Sequence, residues 1–393
     1  MSFIDWIATI YSTLFCLAWG GTLFFLLQAF RAIRTFEKTN LSAPQTWPKL
    51  SVVISTCNDA STIEGAVETL LQQDYPDLEI VLVNDRSIDG TGEIIEKIAR
   101  KDPRVQTVQI KHLPPGWLGK VHALHVGTQK TSGEWILYTD ADVYFRQDAL
   151  RKALSLVLAD HSDHLALIPV PHATSFWLGV VLQTLGGLFI LATRATKIGK
   201  PGSKAFVGAG AFNLVRKAAL DRTEGFPWLR MEVVDDVGLG LMLQRSGATS
   251  SVAIALQDVF FTWYSSLGAM FKGLEKNFFA MIAYYSIARM IVIVVLAWAY
   301  ALAPLVAILY SLKIPFLLIV GLTSYLFLIA GAVGVKITFR QKLLPLLCVQ
   351  VGHVLISLML LRSGIMCTLR GGIIWRGTRY SIDELRAGHR VKV

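Results

Sequence analysis

The chain has 393 residues, of which 53% are hydrophobic and only 17% are charged, with a formal net charge of +10. Its mean hydropathy is +0.50. Together these exclude an intrinsically disordered chain and an ordinary soluble domain, and they predict membrane segments. Four cysteines (Cys16, Cys57, Cys348 and Cys367) are scattered without a C-x-x-C pair, which argues against a disulfide framework and a zinc site.

Residues 7–30 form the first apolar window long enough to cross a bilayer. No basic residue precedes it, Arg31, Arg34 and Lys38 follow it, and no small-residue cleavage site stands out, so the window reads as an uncleaved anchor with the next segment cytoplasmic. A polar linker, 31–49, follows.

From Leu50 the pattern becomes alternating strands and helices. LSVVIST reads as a buried strand, and STIEGAVETLLQQ as a helix opened by a Ser61/Glu64 capping box. LEIVLVND is a second strand, and a second helix starts near Gly90. VQTVQI is a third strand, a helix covers about 122–131, and WILYTDAD is a fourth strand. The order predicts an α/β domain with a mostly parallel, doubly wound, Rossmann-like sheet over 50–266, whose ligands bind at the C-terminal strand ends.

Within this domain, 176–193 is apolar enough to span. A crossing there would put the aspartates before it and after it on opposite sides of the bilayer, so it reads as an interfacial or buried helix. An amphipathic interface segment (267–289) leads to three further windows: 290–310, 314–335 and 343–361. The last 32 residues, 362–393, hold seven basic and two acidic side chains, half of the net charge. Such a tail suits either anionic headgroups or positive-inside flanking, and its position beside the membrane disfavours nucleic acid as partner. Three spans after a cytoplasmic domain would leave this tail outside, although both it and the basic 336–342 loop prefer the inside. One window is then re-entrant, or the tail is an exception.

Aspartates punctuate the strand ends. Asp85 closes IVLVND, Asp140 and Asp142 form a D-x-D after WILYT, and Asp235 and Asp236 follow MEVV. Residues i and i+2 of a strand share a face, so Asp140 and Asp142 read as an oxygen site for Mg²⁺ or Mn²⁺. Asp85 suits a base or ribose, and Asp89 an Asx turn or helix cap. No glycine-rich phosphate loop follows the first strand: STCNDAST disfavours a dinucleotide dehydrogenase and a P-loop enzyme. Gly208 and Gly210 in FVGAGAF read as sites of close backbone approach. His122 and His125 share a helical face but lack a third ligand, so packing roles are expected. His353 lies inside a membrane window, where it has either a function or a hydrogen bond to a neighbouring helix.

VVISTCNDAST, LLQQDYPDLEIVLVNDRSIDGT, GWLGKVHAL, TDADV, GAGAFNLVRKAAL and EVVDDVGLGLMLQRSG occur in an order that resembles the family 2 glycosyltransferases of the GT-A fold, over about residues 50–266. LPPGWLGK, the Ser175–Trp177 SFW and the tail WRGTRY are similar to membrane-bound members of the hopanoid-biosynthesis-associated and carotenoid types. The resemblance implies an inverting transfer of one sugar from a nucleotide-sugar donor, UDP-linked, to a membrane lipid, in a bacterial inner (cytoplasmic) membrane with the catalytic domain cytoplasmic. It implies Ser55 and Asp85 at the nucleobase or ribose, Lys120 at the donor diphosphate, Asp140 at the nucleotide sugar, Asp142 with Asp140 at a divalent metal, and Asp236 as base with Asp235 its competitor. The Q-x-x-R-W of processive synthases is absent. MFKGLEKNFFAM stands in its place, with Lys272 or Lys276 as substitutes, and this favours single transfer over a polysaccharide synthase or a non-catalytic scaffold.

Overall fold

The structure, a computed structural model, describes residues 2–39 and 41–392. Met1 of the predicted anchor segment 1–30, Asn40 of the predicted linker and the last residue of the tail lie outside the described residues. Two units emerge. One gathers Arg34–His172, Thr193–Trp263 and Gly371–Val393, and the other Met1–Ile33, Ala173–Ala192 and Tyr264–Arg370.

The first unit is built on twelve strands: β1 (Arg34–Thr35), β2 (Leu50–Thr56), β3 (Leu78–Asp85), β4 (Val105–Ile110), β5 (Trp135–Thr139), β6 (Tyr144–Phe145), β7 (His164–Pro169), β8 (Asn213–Arg216), β9 (Ser250–Ala255), β10 (Val259–Phe260), β11 (Gly372–Trp375) and β12 (Thr378–Ser381). Eight of them make one sheet in the order β1-β9-β7-β8-β5-β2-β3-β4. β2, β3 and β5 are buried at every residue, as interior strands with both faces covered must be. Their apolar side chains, among them Ile54, Ile80, Leu82, Trp135 and Leu137, share one core with Leu154 and Phe212. The sheet is mostly parallel, as expected; β8 alone among its members runs antiparallel to both its neighbours, β5 and β7.

The chain winds outward from β2 through β3 to β4 and then returns to β5 on the other flank of β2. The crevice beyond β2 and β5 is therefore the switch point where an open α/β sheet binds ligands. Ser55 and Asp140 lie at its two lips.

Several local expectations are corrected. The first domain helix is Ile63–Leu71, and its N-cap, Thr62, makes no side-chain cap bond. The Asp59 carbonyl instead accepts from Thr62 and Ile63 N–H, so no Ser61/Glu64 box forms. The helix expected near 122–131 is Gly119–Thr128. β5 ends at Thr139, so Asp140 and Asp142 stand in a turn and the shared-face argument does not apply to them. Asp235 and Asp236 open the helix Asp235–Arg245 rather than closing a strand. Part of the predicted linker adds strand β1 to the sheet edge, where Glu37 Oε1 accepts from Leu256 and Gln257 N–H at 2.6 Å each.

The second unit is helical. Among the described residues, five helices are long and apolar enough to cross a membrane by length and composition: Phe3–Ala32, Phe176–Lys197, Ile287–Tyr310, Phe316–Phe339 and Val349–Arg370. Their outward leucines and isoleucines are largely exposed (Leu309 61%, Leu326 62%, Ile319 64%), as a lipid-facing surface requires. Small residues let the helices close up. A Cβ on Gly334 would collide with Phe30, and one on Gly352 with Thr184. The window 343–361 is not one span, because it breaks at Cys348 between Leu343–Leu347 and Val349–Arg370. His353 packs beside Tyr300, centroids 5.3 Å apart, and its Nδ1 bonds the Val349 carbonyl of its own helix at 2.8 Å, not a neighbouring helix.

Candidate active site

Four of the seven predicted site residues converge. The Lys120 ammonium, at the first turn of Gly119–Thr128, lies 2.8 Å from Asp140 Oδ1 and 3.4 Å from Asp235 Oδ2. Asp236 is tied in by glycine. Gly210 donates its N–H to Asp236 Oδ2 at 2.7 Å, and a Cβ there would stand 2.7 Å from Asp140 Oδ2. Gly208 lies so close to the Asp236 carbonyl that no side chain fits. FVGAGAF thus serves close approach, as its glycines suggested.

Charge at this cluster is finely set. Burial raises Asp236 to about 6, helped by the Asp235 charge and opposed by Lys120 and by the Val237 N–H that bonds Oδ1 at 2.8 Å. Burial also raises Asp235, but the Lys120 ammonium beside it pulls the other way. Both members of the pair are thus raised by burial, Asp236 to about 6, and Lys120 opposes the rise in each. Burial disfavours the charge on Lys120, yet Asp140, Asp235 and Asp236 together hold it above its ordinary value. Asp142 is raised to about 6 by burial, then by the Asp140 and Asp59 charges.

Ser55 and Asp85 form a neighbouring group at the ends of β2 and β3. Ser55 Oγ is buried without a hydrogen-bond partner among the described residues. Asp85 has no exposed surface and accepts from Arg86 Nε at 2.7 Å and Nη2 at 3.2 Å, with Arg376 Nη1 at 3.8 Å. Gly119 presses on the Asp85 carboxylate, so residues 119–120 connect the two groups. Asp89 is the turn residue: it accepts from Thr91 N–H at 3.1 Å and Oγ1 at 2.6 Å. The histidines pack, with Trp117 stacked on His125 and edge-on to His122.

Sequence reasoning missed Asp59, Arg86, Arg376 and Tyr380. Asp59 Oδ2 accepts from Cys57 N–H at 2.7 Å in the loop after β2. The tail read as juxtamembrane returns to the sheet as the hairpin β11–β12. Arg86 Nη1 donates to Thr378 Oγ1 at 3.1 Å, and Gly119 N–H donates to Tyr380 Oη at 3.3 Å. WRGTRY had marked these residues, but nothing in a linear reading joins 376–380 to 85–119.

The carboxylates suit a hard divalent cation chemically. Among the described residues no three His, Cys, Asp or Glu side chains form a cage for one. A phosphate-bridging Mg²⁺ or Mn²⁺ needs only one or two carboxylates beside its waters and phosphates, so Asp140 and Asp142 fit.

Residues 51–223 match the sequence profile of glycosyl transferase family 2. They form a family 2 glycosyltransferase domain. A mannosyltransferase from Pyrobaculum calidifontis, solved with GDP-Man and Mn²⁺, superposes with a TM-score of 0.50 at 17% identity, covering 91% of this chain and 99% of that one, and shows the GT-A fold. Among curated relatives, a GalNAc(5)-diNAcBac-PP-undecaprenol beta-1,3-glucosyltransferase of Campylobacter jejuni is 30% identical over 28% of this chain and 34% of its own length. A cholesterol galactosyltransferase of Borreliella burgdorferi is 30% identical over 29% of this chain and 31% of its own length. The chain spans less than half the length of the curated relatives it matches.

Proposed function

We propose that the protein is an inverting glycosyltransferase that moves one sugar from a UDP-linked donor to the hydroxyl of a membrane lipid, with its family 2 domain on the cytoplasmic side. The observation that carries this reading is Asp236, raised to about 6, anchored by the Gly210 and Val237 N–H groups and set beside the Lys120–Asp140 pair.

In this reading Asp236 takes the proton of the acceptor hydroxyl as its oxygen attacks the anomeric carbon. The new C–O bond forms while the bond from that carbon to the diphosphate oxygen breaks, and UDP leaves. Lys120 faces the developing diphosphate charge. Asp235 holds Lys120 in place. Ser55, Asp85 and the arginines on Asp85 receive the nucleoside. Asp142, with Asp140, would hold a divalent cation, which supplies charge neutralisation at the leaving diphosphate when bound. The lipid acceptor is supported by the five long apolar helices and by the cholesterol and undecaprenol acceptors in the names of two relatives.

The test is to incubate the purified full-length chain with a panel of nucleotide sugars and a bacterial lipid extract, following nucleotide release and lipid masses. One new lipid species with stoichiometric UDP release is expected. Products of increasing length would make it a polysaccharide synthase, and no turnover of any donor would make it a scaffold with the fold.

A further inference from the structure

Glu232 lies three residues before the acidic pair, and the transfer chemistry does not use it. It has no exposed surface. A carboxylate buried this deeply is costly unless hydrogen bonds hold it. Its partners come from the far end of the chain. Oε2 accepts from Arg390 N–H at 2.6 Å and Val391 N–H at 3.0 Å, with His389 Nδ1 at 3.5 Å. Oε1 accepts from Val234 N–H at 3.2 Å.

Packing follows the same path. Gly388 lies against Met231 without room for a Cβ, Val391 is fully buried next to Gly238, and the Arg390 guanidinium sits 5.5 Å over the Trp228 ring. Residues 388–391 therefore wrap the stretch 228–238, which contains Asp235 and Asp236. The helix that those aspartates open has no side-chain N-cap; Val234 occupies that position. What fixes its first turn must come from outside it. The same stretch also steadies Lys120, because the Arg230 carbonyl accepts from Leu118 N–H at 2.7 Å.

We propose that Glu232 is a positioning residue for sugar transfer, and that by binding the backbone of residues 390 and 391 it makes the chain's C-terminal end part of the active site. The proposal rests on Asp236 being the base. Its purpose would be orientation: a general base displaced by a fraction of an ångström loses rate while nucleotide binding, made elsewhere, survives.

The experiment uses the full chain in detergent, with Glu232→Gln, a truncation removing 389–393, Arg390→Pro (which deletes the 2.6 Å donor) and Arg390→Ala (which keeps it). Readouts are kcat, donor KM, UDP affinity and hydrogen exchange of the 229–238 peptide. Glu232→Gln, Arg390→Pro and the truncation should each lower kcat at least about 30-fold, leave donor KM and UDP affinity within about 3-fold, and speed exchange in 229–238. The double change of Glu232→Gln with truncation should be no worse than the truncation alone, because the truncation already removes the partners of Glu232 at 389–391. Arg390→Ala keeps the backbone donor but loses the guanidinium over Trp228, so its kcat should fall less than that of Arg390→Pro. Unchanged kcat in Glu232→Gln, a KM rise matching the kcat loss, or multiplying effects in the double change would overturn the proposal. If one variant fails to fold, the other two carry the same test. An unmutated chain that turns over no nucleotide sugar would instead sink the functional reading itself.

Discussion

The two halves of the site differ in how their carboxylates are answered. At the ends of β2 and β3, Asp85 is fully buried and faces two guanidiniums, Arg86 and Arg376. Beyond β5, Asp140, Asp142, Asp235 and Asp236 crowd one another around Lys120, and two of them are raised to about 6. The first half has its carboxylate neutralised by arginines, which in the proposed reading leaves it to offer hydrogen bonds to a neutral nucleoside. The second holds negative charge at a cost, which a divalent cation, a proton or both would relieve. In the proposed reading, binding and chemistry are separated by electrostatics.

The largest break should come from Asp236→Asn. The amide oxygen can still accept the Gly210 N–H, but proton uptake is gone, so kcat should fall by about 10³-fold with UDP affinity unchanged. Full activity would end the base assignment. Lys120→Met comes next. It removes the ammonium shared by Asp140 and Asp235, and kcat/KM should drop about 10²-fold in steady-state assays. A third change tests the metal role. Asp142→Ala should weaken Mn²⁺-dependent UDP binding by at least about tenfold and leave metal-free UDP binding alone, as read by titration calorimetry. An equal loss with and without Mn²⁺ would move Asp142 to the nucleoside half.

Much of this division was legible in the sequence, and the reasons are local. Continuous apolar runs ending in Asp85 and Asp140 marked interior strands and the sheet edge where ligands bind, because a buried strand needs no partner beyond the sheet to be recognised. The acidic pair was legible as residues but not as geometry: MEVV reads like a strand, yet tertiary packing starts a helix at Asp235. The D-x-D strand ends three residues early, at Thr139, so both aspartates fall in the turn beyond it. The contributions of Arg376, Tyr380 and Glu232 were not legible. They depend on a chain end returning to the sheet across about 290 residues, as in Arg86–Thr378, and no periodicity or spacing encodes such a closure.

The acid limb of the pH–rate profile sharpens the comparison further. Asp236 must be ionised to accept a proton, and burial with the Asp235 charge puts its pKa at about 6. The rate should therefore be flat above about pH 6 and fall roughly tenfold per unit below it. Asp235→Asn removes the neighbouring charge, so the limb should move to lower pH. A limb that stays put would show that burial alone sets the base.

The smallest expected effect is on stability, and it runs opposite to function. Burial, with the Asp140 and Asp59 charges, raises Asp142 from its ordinary 3.8 to about 6 in the folded state, so the folded state binds the extra proton between those values. Stability falls as pH rises through that window and is lowest above it. Asp142→Asn removes the penalised charge. In EDTA at pH 8 the variant should unfold higher than the parent, by up to about 2 kcal/mol or a few degrees, and the gain should vanish below about pH 4. With Mn²⁺ and UDP present the order should reverse, because the parent alone can use its carboxylate to bind them. A variant that is destabilised in EDTA would mean that Asp142 is held by hydrogen bonds the charge crowding does not outweigh, and the second half of the site would then resemble the first.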